Sequence, residues 1–187
     1  FTEEVLNGDI HTANMKMAGL TDRDQAKTFI YAFMYGAGAS KIGKIVGKGA
    51  KEGQQLIDRF LSNMPALKRV RDSVTETAKR GKIRGIDGRL LYVRSPHSAL
   101  NTLLQGAGAV VCKLWLINMN KRIVQTGVDA KLVASIHDEY QYEVAKKDVK
   151  RFGSITKDAM KDTEHQLKMK CPLDSEWKEG TTWAETH

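Results

Sequence analysis

Two groups of residues in this 187-residue chain have types and spacings that could do chemistry. The first is Arg23, Lys27, Tyr31 and Tyr35, which recur every four residues. On an α-helix each four-residue step overshoots a turn by roughly 40°, so the four form one slowly winding stripe, cations first and aromatics last. That order suits a nucleoside triphosphate laid along the helix, with phosphates at the cationic end and sugar and base over the rings. Arginine supplies a planar fork and lysine a point charge, two complementary ways to hold phosphate. A surface helix with two solvated cations and two half-packed tyrosines would show the same spacing, and spacing alone does not separate the readings. The second group is His137-Asp138-Glu139, flanked by two β-prone runs. Adjacent carboxylates at a hairpin tip present hard oxygen ligands to Mg²⁺, which takes few carboxylates and keeps room for substrate phosphates. An ordinary polar turn would look alike.

The elements that must position these residues follow from local pattern. Leu20 to Gly36 reads as a helix, with Thr21 as its cap and Asp24 answering near the positive end of the dipole. Gly36-Ala37-Gly38 stops it, because glycine permits the left-handed turn. Phe29, Ile30, Phe33 and Met34 supply an inward face. Glu52 to Leu61 and Ala66 to Lys79 have apolar residues at helical spacing, separated by Pro65. Ile83, Ile86, Leu91 and Val93 flank Asp87-Gly88, the signature of a tight hairpin turn. Ser98 to Gln125 reads as a long apolar helix, and Val149 to Lys168 as another. Leu132 to Val144 reads as a second hairpin with the His-Asp-Glu triplet at its tip. Trp177 and Trp183 are available to pin the irregular tail after Cys171. Helices with a small antiparallel sheet make an α+β fold class.

Composition sets outer bounds. Hydrophobic residues make up 41% and prolines number only three, enough apolar surface for a core and against wholesale disorder. The formal net charge of +8, with a pI near 9.5, favours a polyanionic partner such as nucleic acid or an anionic membrane face. No uninterrupted apolar run reaches the roughly 20 residues of a membrane span, so no membrane partner is expected. The N-terminal stretch is polar and acidic, unlike a secretory signal. Cys112 and Cys171 fit no metal-ligand spacing and read as reduced cytoplasmic thiols.

The residues also carry a resemblance. Arg23-Asp-Gln-Ala-Lys27-Thr-Phe-Ile-Tyr31-Ala-Phe-Met-Tyr35-Gly36 resembles the fingers helix of family A DNA polymerases, of the kind found in T-odd-type phages. Ser135-Ile-His137-Asp138-Glu139 resembles the family's palm metal motif, and Arg94 to Gly106 resembles its primer-template helix. Gly8-Asp9-Ile10-His11-Thr12, the Gly85 to Arg89 hairpin and the C-terminal His187 are similar to the phage group as well. The segment between Arg71 and Gly85 looks shorter than in those relatives. The resemblance implies that His11, Arg23 and Lys27 hold the dNTP phosphates, that Tyr31 stacks near the sugar, and that Tyr35 packs at the templating base. It implies that Asp138 binds metal with Glu139 as auxiliary, these two and Lys27 forming the catalytic set. His97, Asn101, Gln105 and His137 would touch the primer-template. Minor-groove acceptors are shared by all base pairs, so an amide there senses pairing without reading sequence.

The organisation so implied is a fingers portion over residues 1–80, with its nucleotide helix about 21–36. A palm portion over 81–187 would carry the metal hairpin about 132–144. The function implied is template-directed DNA synthesis with two Mg²⁺ ions, in the cytoplasm of an infected bacterial host. The alternative is a non-catalytic basic fragment that binds duplex DNA. The second metal-bridging aspartate of the family has no counterpart in these residues; Asp9 belongs to the Gly-Asp-Ile-His segment. Since the chain also opens on Phe1 in what reads as mid-helix sequence, the remainder of a polymerase is expected in cis or in trans. The chain by itself is then expected to be inactive; extension of a primer by the purified chain with dNTP and Mg²⁺ would refute that.

Overall fold

The computed structural model describes residue 6 and residues 8–186 of the chain. The mid-helix reading of the opening residues and the C-terminal His187 fall outside them. Two compact units divide the chain, Phe1–Gln105 and Gly106–His187.

In the first unit α1 (Ile10–Ala18), α2 (Arg23–Met34), α3 (Ala39–Ile45), α4 (Ala50–Asn63) and α5 (Pro65–Ala78) precede a short hairpin, β1 (Lys82–Arg84) and β2 (Leu90–Tyr92). The cap of α2 is Asp22, not Thr21: the Asp22 carboxylate accepts from the Asp24 N–H at 2.9 Å, so the helix starts three residues later than the apolar pattern suggests. Its end is as expected from the glycine. Gly36 sits at φ +81°, and the amides of Gly36 and Ala37 reach back to the carbonyls of Phe33 and Ala32, the paired bonds of a Schellman stop. Ala26, Phe29 and Phe33 are the buried face. Phe60 of α4 meets Phe29 edge-on at 5.2 Å and Phe33 at 5.5 Å, and Ile42, Leu56, Ile57 and Leu61 complete this core.

Helices α3 and α4 approach closely enough to exclude a side chain. A Cβ on Gly53 would lie 2.0 Å from the Ala39 carbonyl oxygen, and one on Gly43 2.0 Å from that of Gly49. Pro65 opens α5 at a position where its missing N–H costs nothing. In the hairpin, Ile83 pairs with Leu91 and is buried beside Ala78, Val93 and Ala99. The Asp87-Gly88 dipeptide is not a two-residue turn. The Gly85 N–H bonds to Arg89 and the Gly88 N–H to Gly85, giving a three-residue connection with Gly88 at φ +84°.

A short 3₁₀ turn, Pro96–Ser98, leads into α6 (Ala99–Thr126), which runs on into the second unit. There follow β3 (Ala130–Ile136), β4 (Glu139–Val144), α7 (Val149–Leu167) and a last short helix, α8 (Trp183–Thr186). The two hairpins form separate two-stranded antiparallel sheets. Trp115, Met119, Ala159 and Met160 make the core of the second unit. Polar bonds register α6 on α7. The Trp115 indole donates to the Thr156 carbonyl at 2.9 Å, Asn118 to Thr163 at 3.1 Å, and Arg122 grips Asp162 at 2.7 and 3.0 Å. The Arg122 hydrogen bonds hold the Asp162 carboxyl below the usual carboxylate range. Of the two tail tryptophans, Trp177 lies directly over Gly153 of α7, where a Cβ would meet the ring at 2.3 Å. Trp183 opens α8 and is 56% exposed.

Among the described residues one stretch, Pro96–Thr126, is long and apolar enough to cross a bilayer by length and composition. The uninterrupted-run criterion passed over it because Asn101, Gln105, Lys113 and Asn118 divide the apolar residues. Within the fold it is a packing helix, burying Leu100 in one unit and Trp115, Asn118 and Met119 in the other.

The glycine contact yields a stability prediction. Alanine is favoured over glycine inside a helix by about 0.8–1.0 kcal/mol. In Gly53→Ala that gain is set against a backbone collision at α3, and overpacking costs roughly 1–3 kcal/mol or more. The variant is expected to unfold at lower urea concentration with an unchanged slope.

Candidate nucleotide and metal site

The fingers-like stripe stands on the outward side of α2. Burial of Phe29 and Phe33 against Phe60 of α4 fixes the rotation of the helix, and Arg23, Lys27, Tyr31 and Tyr35 are all exposed. Helix α1 runs alongside and brings His11 up to Tyr31, ring centroids 6.2 Å apart. The His11 Nδ1 is buried without a hydrogen-bond partner among the described residues. Arg23 is not a free cation. Its Nε–H and Nη2–H donate to the two carboxylate oxygens of Asp9 at 2.9 and 3.2 Å. Asp9 also caps α1, accepting from the amides of His11 and Thr12 and the Thr12 hydroxyl. The Arg23 guanidinium first, and the Thr12 hydroxyl next, hold the Asp9 carboxyl well below the usual carboxylate range. Sequence reasoning found Arg23 and His11 but not this link. An aspartate one residue before a helix is a legible cap signal, whereas its partner 14 residues on is not.

At the other end of the stripe Gly36 abuts the turn that carries His97; a Cβ there would lie 3.2 Å from the His97 carbonyl oxygen. His97, Asn101 and Gln105 follow at four-residue intervals into the first turns of α6, His97 and Gln105 exposed and Asn101 half-buried. The first unit therefore assembles His11, Arg23, Lys27, Tyr31, Tyr35, His97, Asn101 and Gln105.

His137, Asp138 and Glu139 lie in the second unit. Ile136 pairs with Glu139, so His137 and Asp138 are the whole turn and Glu139 begins the returning strand. Two-residue hairpin turns of the favoured types need positive φ at their first central residue. His137 supplies it at +51°, one of two non-glycine residues with positive φ among those described. Histidine tolerates this region better than most side chains. Asp138 is exposed and makes no hydrogen bond or ion pair among the described residues, while Glu139 accepts from the Gln141 amide. Three aromatic contacts hold the hairpin. Tyr140 donates to the Cys112 carbonyl at 2.9 Å, its ring lies 5.2 Å from Trp115, and Tyr142 packs 4.7 Å from Phe152. Register slips between Leu132 and Ala134, leaving Val133 as a bulge, a device that re-aims a strand end.

The carboxylates at this tip fit a hard cation only in part. Asp138 is accessible and Glu139 adjoins it. No group of three or more His, Cys, Asp or Glu that could hold a metal ion occurs among the described residues.

A family model for DNA polymerase family A matches residues 5–185. The chain belongs to this family. It is 43% identical over 209 aligned positions to the DNA-directed DNA polymerase of Enterobacteria phage T3, and 42% to that of Escherichia phage T7. Both alignments cover all of this chain and 30% of the relative, so the chain spans under a third of their length. It is 27% identical to DNA polymerase I of Streptococcus pneumoniae over 95% of the chain and 22% of the relative. The 209 aligned positions exceed the 187 residues, so the T3 and T7 polymerases carry residues within the aligned region that this chain lacks. The fold matches the POL domain of Pol1 from M. smegmatis, a structure in complex with DNA primer-template and dNTP. That match has a TM-score of 0.77 at 20% identity, over 87% of this chain and 32% of the other.

The aromatic anchors of the β3–β4 hairpin have a pH signature. Burial, and secondarily the neighbouring Tyr140, push the Tyr142 hydroxyl up to about 12. An unfolded tyrosine ionises near 10. Between about pH 10 and 12 the unfolded state therefore loses its proton first, and the neutral packed form ceases to be favoured. The stability that Tyr142 contributes is complete below pH 10 and is lost as pH rises toward 12. Thermal melts at pH 9 and 11 should show a smaller drop for Tyr142→Phe than for the parent.

Proposed function

We propose that this chain supplies the nucleotide-binding fingers helix and one metal-binding carboxylate of a template-directed DNA polymerase, adding dNTPs to a primer 3′-hydroxyl. The observation that carries the reading is the exposed row Arg23, Lys27, Tyr31 and Tyr35, with His11 against Tyr31. His11, Arg23 and Lys27 would take the triphosphate, Tyr31 the sugar and Tyr35 the templating base. Family membership, the phage relatives and a fold neighbour solved with primer-template and dNTP support it. Residues 1–80 would serve as fingers and 81–187 as palm, in the cytoplasm of an infected bacterium. The remainder of the polymerase would act in cis or in trans.

Nucleotidyl transfer is an in-line displacement in which positioning and electrostatic stabilisation do most of the work. Asp138, with Glu139 beside it, would hold Mg²⁺, which in such sites stabilises the attacking and leaving oxygens. A second bridging carboxylate must come from outside the described clusters, since the hairpin tip offers only this pair. Lys27 would hold and neutralise the triphosphate. His97, Asn101, Gln105 and His137 would contact the primer-template, the two amides donating to minor-groove acceptors. The +8 net charge adds a sequence-independent attraction to the backbone.

Primer extension in a reaction that joins this chain to a polypeptide carrying the second carboxylate separates the readings. Asp138→Ala is expected to cut turnover by on the order of 10²–10³-fold, the size seen when a key electrostatic group is removed. Lys27→Ala is expected to raise the dNTP KM, and both variants should bind duplex DNA as the parent does. Unchanged extension in both would leave only the basic, non-catalytic DNA binder.

A further inference from the structure

The carboxylate of Asp9 collects five donors. Oδ1 accepts from the His11 and Thr12 amides and from Arg23 Nη2; Oδ2 accepts from the Thr12 hydroxyl and Arg23 Nε. Three of those donors belong to the first turn of α1, which carries His11, and two to the guanidinium that opens α2. One side chain thus ties together two of the residues assigned above to the triphosphate.

The geometry of the fork matters. Guanidinium has five N–H donors in a fixed plane. Asp9 occupies the edge formed by Nε and Nη2. Both Nη1 donors and the second Nη2 donor are left for another anion, so carboxylate and phosphate can be held at once. Arg23 is about half exposed, and an untethered arginine there would sample many rotamers. We propose that Asp9 is a positioning residue for nucleotide binding, locking the Arg23 fork and the His11-bearing turn of α1 into one unit before the triphosphate arrives. This rests on the nucleotide reading of α2 given above.

The opposite role is chemically conceivable: a carboxylate beside Arg23 subtracts charge from the phosphate site and could act as a competitor. At this exposure Coulomb effects are screened, so the loss of orientation should outweigh the gain in charge. The two roles predict opposite signs.

The experiment is a titration of dATP into the folded chain, for the parent, Asp9→Asn, Arg23→Ala and the double variant. Asparagine still caps a helix, so Asp9→Asn should keep α1 while presenting the fork with a neutral group. Asp9→Ser, a cap too short to reach Arg23, is the second variant should the first melt poorly; circular dichroism checks both. Positioning predicts that Asp9→Asn weakens dATP roughly tenfold, about the worth of one charge-assisted hydrogen bond. It also predicts no further weakening by Asp9→Asn in the Arg23→Ala background, the coupling expected of residues that act together. The Arg23 Nε–H resonance should be sharp in the parent and lost in Asp9→Asn. Tighter or unchanged dATP binding in Asp9→Asn overturns the proposal, as does an equal loss in the Arg23→Ala background, which would mark Asp9 as a structural cap alone. A parent that binds dATP but ignores Asp9 sinks only this inference. A folded parent that binds no dATP removes the nucleotide reading, and this proposal with it.

Discussion

The first unit depends on the contact of Phe29 and Phe33 with Phe60. Phe29 and Phe60 are fully buried and Phe33 nearly so, and their edge-on geometry is the arrangement that aromatic quadrupoles favour. Two rings one turn apart on α2, both against a single ring on α4, leave the helix no freedom to roll. Everything chemical about α2 follows from that restraint, because its cations and tyrosines face outward only while the phenylalanines face inward. Deleting any of these rings would leave a cavity costing about 3–5 kcal/mol, a large share of an ordinary domain's stability.

The second unit solves a similar problem with mixed chemistry. A two-stranded hairpin is marginal by itself, and its tip can be placed only if the strands are held from outside. Tyr140 and Tyr142 do this, the first through the Cys112 carbonyl and the Trp115 ring, the second through Phe152. The polar bonds between α6 and α7 set which turn of one helix meets which turn of the other. Asp138 thereby sits on a turn that is exposed yet anchored within a few residues along the returning strand. The nearby carboxylate also acts on Cys112, whose thiol is pushed up by burial first and by the Asp138 charge second.

Much of this could be read in the sequence, for identifiable reasons. The long helices and both hairpins were legible because their apolar residues recur with period 3.6 or 2 and because glycine and proline mark their ends. The stripe on α2 was legible because it depends on spacing alone. Less legible were features set by tertiary choice. Thr21 and Asp22 are both good caps, and the Arg23–Asp9 pairing that frames the start of α2 appears in no local pattern. Helices α1 and α3 are short and were not anticipated, since nine and seven residues give too few periods to register. The bulge at Val133 and the backbone-to-backbone approach at Gly53 likewise depend on a partner strand or helix whose position no local window contains.

The stop at Gly36 has a consequence for how such a chain can change over time. Tyr35 lies twelve residue steps beyond Arg23, about 18 Å along the helix axis, and the left-handed glycine fixes where that length ends. Exchanging side chains along the row alters chemistry but not placement. Inserting or removing a single residue between Arg23 and Gly36 would swing everything beyond it by about 100°, carrying tyrosines into the core and phenylalanines into water. The segment is thus a ruler that admits substitution and refuses any change of length.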